Sequence, residues 1–143
     1  MLKSNVLLCG ALAAALAIPG VVQAKTIKLA ATLSGANETA GGDPDGSGSF
    51  SAEIDSDVGD LCYTLSVSNI AAPVAAHIHS GAAGTDGAPV ATLEVTGEDL
   101  DECLAVEPDT LKAIVATPAD YYVNVHTADF QKGAVRGQLA KGK

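Results

Sequence analysis

The sequence predicts a single all-β domain, an antiparallel Greek-key-like β-sandwich or barrel that follows a cleaved signal peptide. Along most of the chain, short stretches of alternating apolar and polar residues are separated by turns rich in Gly, Asp, Asn and Ser. Alternation with a period of two is typical of strands that bury one face. Because neither a long helical pattern nor an internal repeat interrupts this alternation, the frequent turns favour a sandwich or barrel.

The chain begins with a stretch that has the features of a secretory signal. Lys3 gives it a positive start, residues 6–18 form an apolar segment, and residues 22–24 form a small-residue cleavage site. The apolar segment is too short for a spanning helix. We therefore expect residues 1–24 to be removed and residues 25–143 to form a domain exported to the periplasm or out of the cell.

The predicted elements of the first half follow from this alternation. Ile27 and Leu29 alternate with polar residues in the first strand, and Gly, Asp and Ser dominate the loop after it. In order, we predict a strand at residues 25–33, a loop at 34–49, a hairpin of strands at 50–55 and 61–67 around a turn at 57–60, a strand after Pro73 through residue 79, a loop at 81–89 and a strand at 90–95.

The second half contains the least regular stretch. Residues 97–104 fit either a short helical turn or an acidic loop, and residues 108–115 fit a short helix that Pro118 would stop. A final hairpin of residues 121–127 and 134–139 follows. Val135 faces the core in its second strand, so Arg136 falls on the opposite, polar face.

Charge and cysteines restrict the possible partners. Loss of the signal removes one basic residue, which leaves 7 basic against 17 acidic residues and a formal charge of −10. Such a chain is a poor candidate for binding nucleic acid or anionic membrane and is better suited to cations. Cys62 and Cys103 remain, and a disulfide between them is the ordinary interpretation in an exported protein. The alternative, a thiolate metal ligand, requires a reduced cysteine.

All three histidines of the sequence lie in two predicted strands. His77 and His79 are two residues apart and therefore share one face of their strand. The same parity places Asn124 and His126 on the polar face of a later strand. Three imidazoles can thus share one sheet surface, which predicts a metal site of a kind suited to copper or zinc. We expect copper, with Asn124 and Arg136 next to its ligands.

The composition limits the remaining ligands. Met1 is the only methionine and leaves with the signal. If Cys62 and Cys103 are paired, no thiolate is available, so a blue-copper site is not expected. A fourth ligand would be water, a carboxylate, a tyrosine or a backbone group.

Two other interpretations stay open. In one, the same polar residues hold the loop at 81–89 against the sheet, and the protein is a structural or interaction module that binds no metal. Arg136 would then fork to carboxylates or carbonyls. In the other, the protein is a mononuclear copper redox enzyme. Because no catalytic triad or phosphate-loop motif is present, the sequence favours a binding protein over an enzyme.

Two motifs resemble the CHRD domain, a module first described in chordin. They are Ala76-His77-Ile78-His79-Ser80-Gly81, followed by Gly84, Gly87, Pro89 and Val90, and Tyr122-Val123-Asn124-Val125-His126-Thr127, followed by Gly133, Arg136, Gly137 and Gln138. The resemblance extends from Leu33 to Leu139. It implies an immunoglobulin-like β-sandwich or barrel in an exported or extracellular protein, and it implies no established reaction. Ala134 stands where the family often has Glu, which argues against an acidic partner there.

A more distant similarity is to the copper half of Cu/Zn superoxide dismutase. In that family an H-x-H strand and a later histidine bind copper on the outer face of a β-barrel, with an arginine nearby. The matching positions are His77, His79, His126 and Arg136. The dismutase also needs a bridging histidine and a zinc site, and no histidine remains for them here. The similarity therefore implies copper binding more than dismutation.

Overall fold

The computed structural model describes residues 25–95 and 101–143. The predicted signal at residues 1–24 and residues 96–100 lie outside the described residues. The described chain contains nine strands, one α-helix and two 3₁₀ turns, at Gly35–Asn37 and Pro118–Asp120. The strands and the helix are β1 Ile27–Ser34, β2 Ser47–Asp55, β3 Asp60–Ser68, β4 Pro73–Ser80, β5 Pro89–Leu93, β6 Asp101–Ala105, α1 Pro108–Ala116, β7 Tyr121–Thr127, β8 Val135–Gln138 and β9 Ala140–Lys141.

The nine strands form one antiparallel sheet that curls into a nearly closed barrel. Its strand order is β5-β4-β7-β8-β1-β2-β3-β6, and β9 pairs with β1 outside this path. The predicted all-β antiparallel single domain is therefore confirmed. Among the described residues, no helix is both long enough and apolar enough to cross a membrane.

The core lies inside this curled sheet. In β1 to β4 the buried side chains alternate along the strand, as strand parity requires, and α1 adds Leu111 and Ile114. Outside α1, the largest fully buried side chains are Leu29, Leu33, Ile54, Leu61, Ile78, Leu93, Leu139, Val123, Val125 and Val135. Burial of one such side chain stabilises the fold by about 1.5–3 kcal/mol. Val135 faces the core as predicted, which leaves Arg136 on the other face.

The prediction for residues 97–104 was wrong over its second half, because Asp101–Ala105 form strand β6. The first half of that stretch lies outside the described residues. β6 pairs with β3, and Cys62 lies directly opposite Cys103. These two cysteines form the expected disulfide, with a Cα–Cα distance of 3.9 Å. The pairing with β3 gives this acidic stretch its extended shape.

The loop after β1 is shorter than predicted, and the short helix is present as predicted. The loop predicted at residues 34–49 is shorter, since β2 already begins at Ser47, where it pairs with both β1 and β3. The predicted short helix is confirmed as α1. Pro108 occupies its first turn, where the missing N–H has no intrahelical partner to lose. The helix ends before Pro118, as expected.

Candidate metal centre

Strand pairing brings the histidines together. β4 and β7 are antiparallel neighbours, with His77 opposite Asn124 and Ala75 opposite His126. His77 and His79 point to the same face of β4, while Ile78 between them is buried in the core. On β7, His126 points to that same face. The three rings therefore share one surface of the sheet, as strand parity required.

The distances between the three rings are short. His77 Nδ1 lies 3.2 Å from His126 Nε2. The ring centroids of His77 and His79 are 5.4 Å apart, and those of His77 and His126 are 5.2 Å apart, both edge-on. One nitrogen from each ring lies within 4.8 Å of the other two. Since two nitrogens bound to one ion at about 2.0 Å are at most about 4 Å apart, coordination requires the widest separation to close by roughly 1 Å.

Two backbone carbonyls orient two of the rings. His79 Nδ1 lies 2.8 Å from the carbonyl oxygen of Gly87, and His126 Nδ1 lies 3.0 Å from that of Gln131. Because a carbonyl only accepts, each Nδ1 carries the hydrogen, and in the neutral ring Nε2 carries the lone pair. His79 Nε2 is buried and has no hydrogen-bond partner among the described residues. A histidine that binds metal commonly donates its other ring N–H to a carbonyl in this way.

The electrostatics keep two of the rings neutral. Burial lowers the pKa of His77 below its ordinary value, and the neighbouring charges of His126 and His79 lower it further. Burial also lowers the pKa of His126, against a weaker opposing effect of the Gln131 carbonyl. Both rings are therefore neutral near pH 7, which is the form that binds a metal ion.

Arg136 holds the loop between β4 and β5 against this surface. Its side chain is 2% exposed, and it donates to Asp86 Oδ1 at 3.0 Å and to the carbonyl of Thr85. Its guanidinium carbon lies 3.5 Å from the centre of the Tyr122 ring, and that ring stacks on His79 with centroids 4.9 Å apart. Arg136 is thus the fork to a carboxylate and a carbonyl that the non-metal interpretation expected. It does not present its charge to solvent.

Further hydrogen bonds fix the same loop. Gln138 donates to the carbonyls of Gly81 and Ala119, both at 2.7 Å. The backbone N–H of Gly87 donates to the Tyr122 hydroxyl at 3.3 Å. A Cβ atom at Gly87 would lie 1.5 Å from the carbonyl oxygen of Ser80, so only glycine fits where the loop passes this close to β4. This fit places the Gly87 carbonyl on His79.

Asn124 acts on the pKa of Glu38, a buried carboxyl group that the sequence pattern did not indicate. Asn124 is 3% exposed, and Glu38, which follows the first 3₁₀ turn, is 9% exposed. Burial raises the pKa of Glu38 to about 7, opposed by the positive charge of Arg136 and by a hydrogen bond from Asn124, while Asp86 raises it further. The available signal was that the family resemblance, which begins at Leu33, includes Glu38. Local alternation could not show that Glu38 is buried.

Comparisons with known proteins bear on the whole domain. The sequence model of the CHRD domain family matches residues 29–139, a span that includes the three histidines and Arg136. No curated protein and no solved structure matches the chain. The similarity to superoxide dismutase is therefore not shown. Because the match covers most of the chain, this protein belongs to the CHRD domain family.

Proposed function

We propose that this protein binds a copper ion through His77, His79 and His126 and handles or buffers that ion outside the cytoplasm. The observation that carries the proposal is the pair of carbonyls that accept the Nδ1 hydrogens of His79 and His126. They leave the Nε2 lone pair of His79 without a partner and direct that of His126 to His77, 3.2 Å away, so that one nitrogen of each ring lies within 4.8 Å of the others.

The donor set supports copper. Three neutral imidazoles suit copper and zinc, and among the divalent first-row ions Cu²⁺ has the highest affinity for a site of this kind. The disulfide between Cys62 and Cys103 removes the thiolates that would favour a different centre. All three rings are partly exposed, so water or another small ligand has access to the ion. The acidic balance of the predicted mature chain attracts cations.

Export is part of the same proposal. The predicted signal at residues 1–24 directs the chain out of the cytoplasm. The disulfide agrees with this, since disulfides persist in oxidising compartments.

The test is a titration of purified protein with Cu²⁺, with the bound ion observed by electron paramagnetic resonance. Wild type should bind one equivalent with nitrogen coordination, and the His77→Ala/His79→Ala variant should lose that signal. The control, Asp57→Asn/Asp60→Asn, removes one exposed carboxylate from the β2–β3 turn and one from the start of β3 and should behave as wild type. The single variant His126→Ala keeps β4 unchanged and should weaken binding. Equal copper uptake by wild type and every histidine variant would overturn the proposal.

The second candidate function is a structural or interaction module that binds no metal. The observation in its favour is the set of hydrogen bonds by which His79, Arg136 and Gln138 hold the β4–β5 loop. This candidate predicts that substitution of the histidines lowers the free energy of unfolding and leaves copper uptake unchanged. The same titration, with unfolding measured in parallel, therefore separates the two functions.

A further inference from the structure

Glu38 lies in a space that two glycines leave for it. A Cβ atom at Gly133 would lie 2.2 Å from Glu38 Oε1, and a Cβ atom at Gly42 would lie 2.8 Å from Glu38 Cγ. Gly133 also has a backbone φ of 137°, which residues other than glycine rarely adopt. It lies in the connection between β7 and β8, residues 128–134, which also contains Gln131. The carboxyl of Glu38 is therefore packed directly under the segment whose carbonyl orients His126.

Two buried oxygens at this place have no partner. They are Glu38 Oε1 and Asn124 Oδ1, and each is an acceptor without a hydrogen-bond donor among the described residues. Asn124 lowers the pKa of Glu38 as a side-chain hydrogen-bond donor, which makes the two side chains neighbours, while neither of these two oxygens receives a hydrogen bond. Buried oxygen atoms that accept no hydrogen bond are strongly disfavoured. Two of them on neighbouring side chains therefore require an explanation.

A single proton supplies the missing donor. A protonated carboxyl has one O–H donor and keeps an acceptor, and an amide has both a donor and an acceptor. We propose that Glu38 carries a proton and forms a cyclic acid–amide pair with Asn124, its O–H donating to Asn124 Oδ1 while the amide N–H donates back. Both orphan oxygens are then satisfied without any other group.

The surrounding charges agree with a neutral carboxyl. The charged groups that act on Glu38 are Arg136 from β8 and Asp86 from the β4–β5 loop. Arg136 donates to Asp86 and to the Thr85 carbonyl, and Glu38 Oε1 receives no hydrogen bond from it. Burial then dominates, and the pKa of Glu38 rises to about 7.

The position of the pair gives it a role in the copper centre, and this step rests on the proposed function. Asn124 lies opposite His77 and two residues before His126. A bound cation next to this pair favours the ionised form of Glu38. Copper binding therefore promotes release of the Glu38 proton, and the negative charge that remains strengthens retention of the ion. Glu38 acts as a positioning residue and proton store next to the site.

The acid–amide pair is tested without metal. Carbon NMR of the Glu38 carboxyl should show a titration midpoint of about 7. The side-chain amide signals of Asn124 should shift with the same midpoint, because they share the pair. A Glu38 midpoint near the ordinary value of 4.5 would overturn the pair. So would Asn124 signals that do not follow the Glu38 titration.

The coupling to copper is tested by calorimetry at about pH 6.5 in two buffers of different ionisation enthalpy. Wild type should release roughly half a proton more per copper ion than Glu38→Gln, which keeps the shape of the pair. At about pH 8 the variant should bind Cu²⁺ several-fold, up to about tenfold, more weakly. The control Glu107→Gln changes an exposed carboxylate and should match wild type.

Two failures are distinguishable. If wild type binds no copper, the proposed function fails, and the NMR titration still decides the acid–amide pair. If wild type and Glu38→Gln bind copper with equal affinity and equal proton release, the coupling is wrong while the metal site stands.

Discussion

His77 Nδ1 lies 3.2 Å from His126 Nε2, and the carbonyl of Gln131 fixes which of the two rings donates. Because His126 Nδ1 gives its hydrogen to that carbonyl, its Nε2 accepts, and His77 Nδ1 must donate. This contact uses the lone pair of His126 that a metal ion would need. In the proposed function, an ion bound at His126 would have to displace the His77 hydrogen from this contact, so the two rings would respond together.

The first prediction concerns acid sensitivity. The pKa values of His77 and His126 are lowered, so their contribution to stability is present above the unfolded pKa of about 6.5 and is lost as pH falls through the folded values. Replacement of His126 should reduce the loss of stability at low pH. We expect the difference in unfolding free energy between wild type and His126→Gln to shrink from about pH 7.5 to about pH 5. Urea unfolding at both pH values measures it, and a constant difference would contradict it.

The second prediction concerns Glu38 and has the opposite sign. Its folded pKa of about 7 lies above its ordinary value of 4.5, so the favourable contribution is present below about 4.5 and is lost as pH rises through about 7. Glu38→Gln keeps a neutral pair at every pH. Its stability relative to wild type should therefore increase by about 3 kcal/mol between pH ~4 and pH ~8, at roughly 1.4 kcal/mol per pKa unit. Chemical unfolding across this range tests the sign, and a flat difference would mean that Glu38 titrates normally.

The third prediction is that Gly87→Ala weakens the proposed copper site through the loop that orients His79. The added Cβ would meet the Ser80 carbonyl oxygen at 1.5 Å, so the loop must move and its carbonyl must leave His79. Loss of such an orienting hydrogen bond commonly lowers metal affinity by about 10–100-fold. Ala83→Ser, an exposed change in the same loop, serves as the control. Copper affinity equal in both variants would show that the Gly87 carbonyl does not matter.

The fourth prediction is that Arg136→Met destabilises the fold. The substitution removes a buried fork and leaves the Thr85 carbonyl without its donor, which should lower the unfolding free energy by about 2–4 kcal/mol. Asp86→Asn should have a much smaller effect, because Asp86 is mostly exposed. Urea unfolding compares the two. If Arg136→Met unfolds like wild type, the buried hydrogen bonds contribute little, and another role for Arg136 has to be sought.

The fifth prediction separates the disulfide from the metal centre. Cys62 and Cys103 close a chain segment with a sequence separation of 41, so Cys62→Ser/Cys103→Ser should lower stability by about 2–4 kcal/mol. Because the proposed ligands are imidazoles alone, the variant should bind copper with unchanged affinity while it is folded. Copper titration at low temperature with parallel unfolding curves tests both parts. A loss of affinity without unfolding would implicate sulfur in the site.

Much of this arrangement was predictable because strand parity is a local property. A residue two positions from another in a strand must point to the same face, so His77 and His79 had to share a surface. The same alternation predicted that Val135 faces the core. Parity says nothing about which strands are neighbours. The prediction failed at β6 for that reason: its acidic residues do not alternate clearly, and the strand exists through its pairing with β3.

The sequence by itself determined the antiparallel all-β class, the face on which each histidine lies and the two cysteines available for the disulfide, because alternation and composition are properties of the chain alone. The tertiary structure decided the rest. The Gly87 carbonyl on His79, the burial of Arg136 and the contact of Glu38 with Asn124 each join segments that are distant in the chain. Such contacts depend on which strands pair and on how the loops between them pack, and neither has a signature in the local sequence.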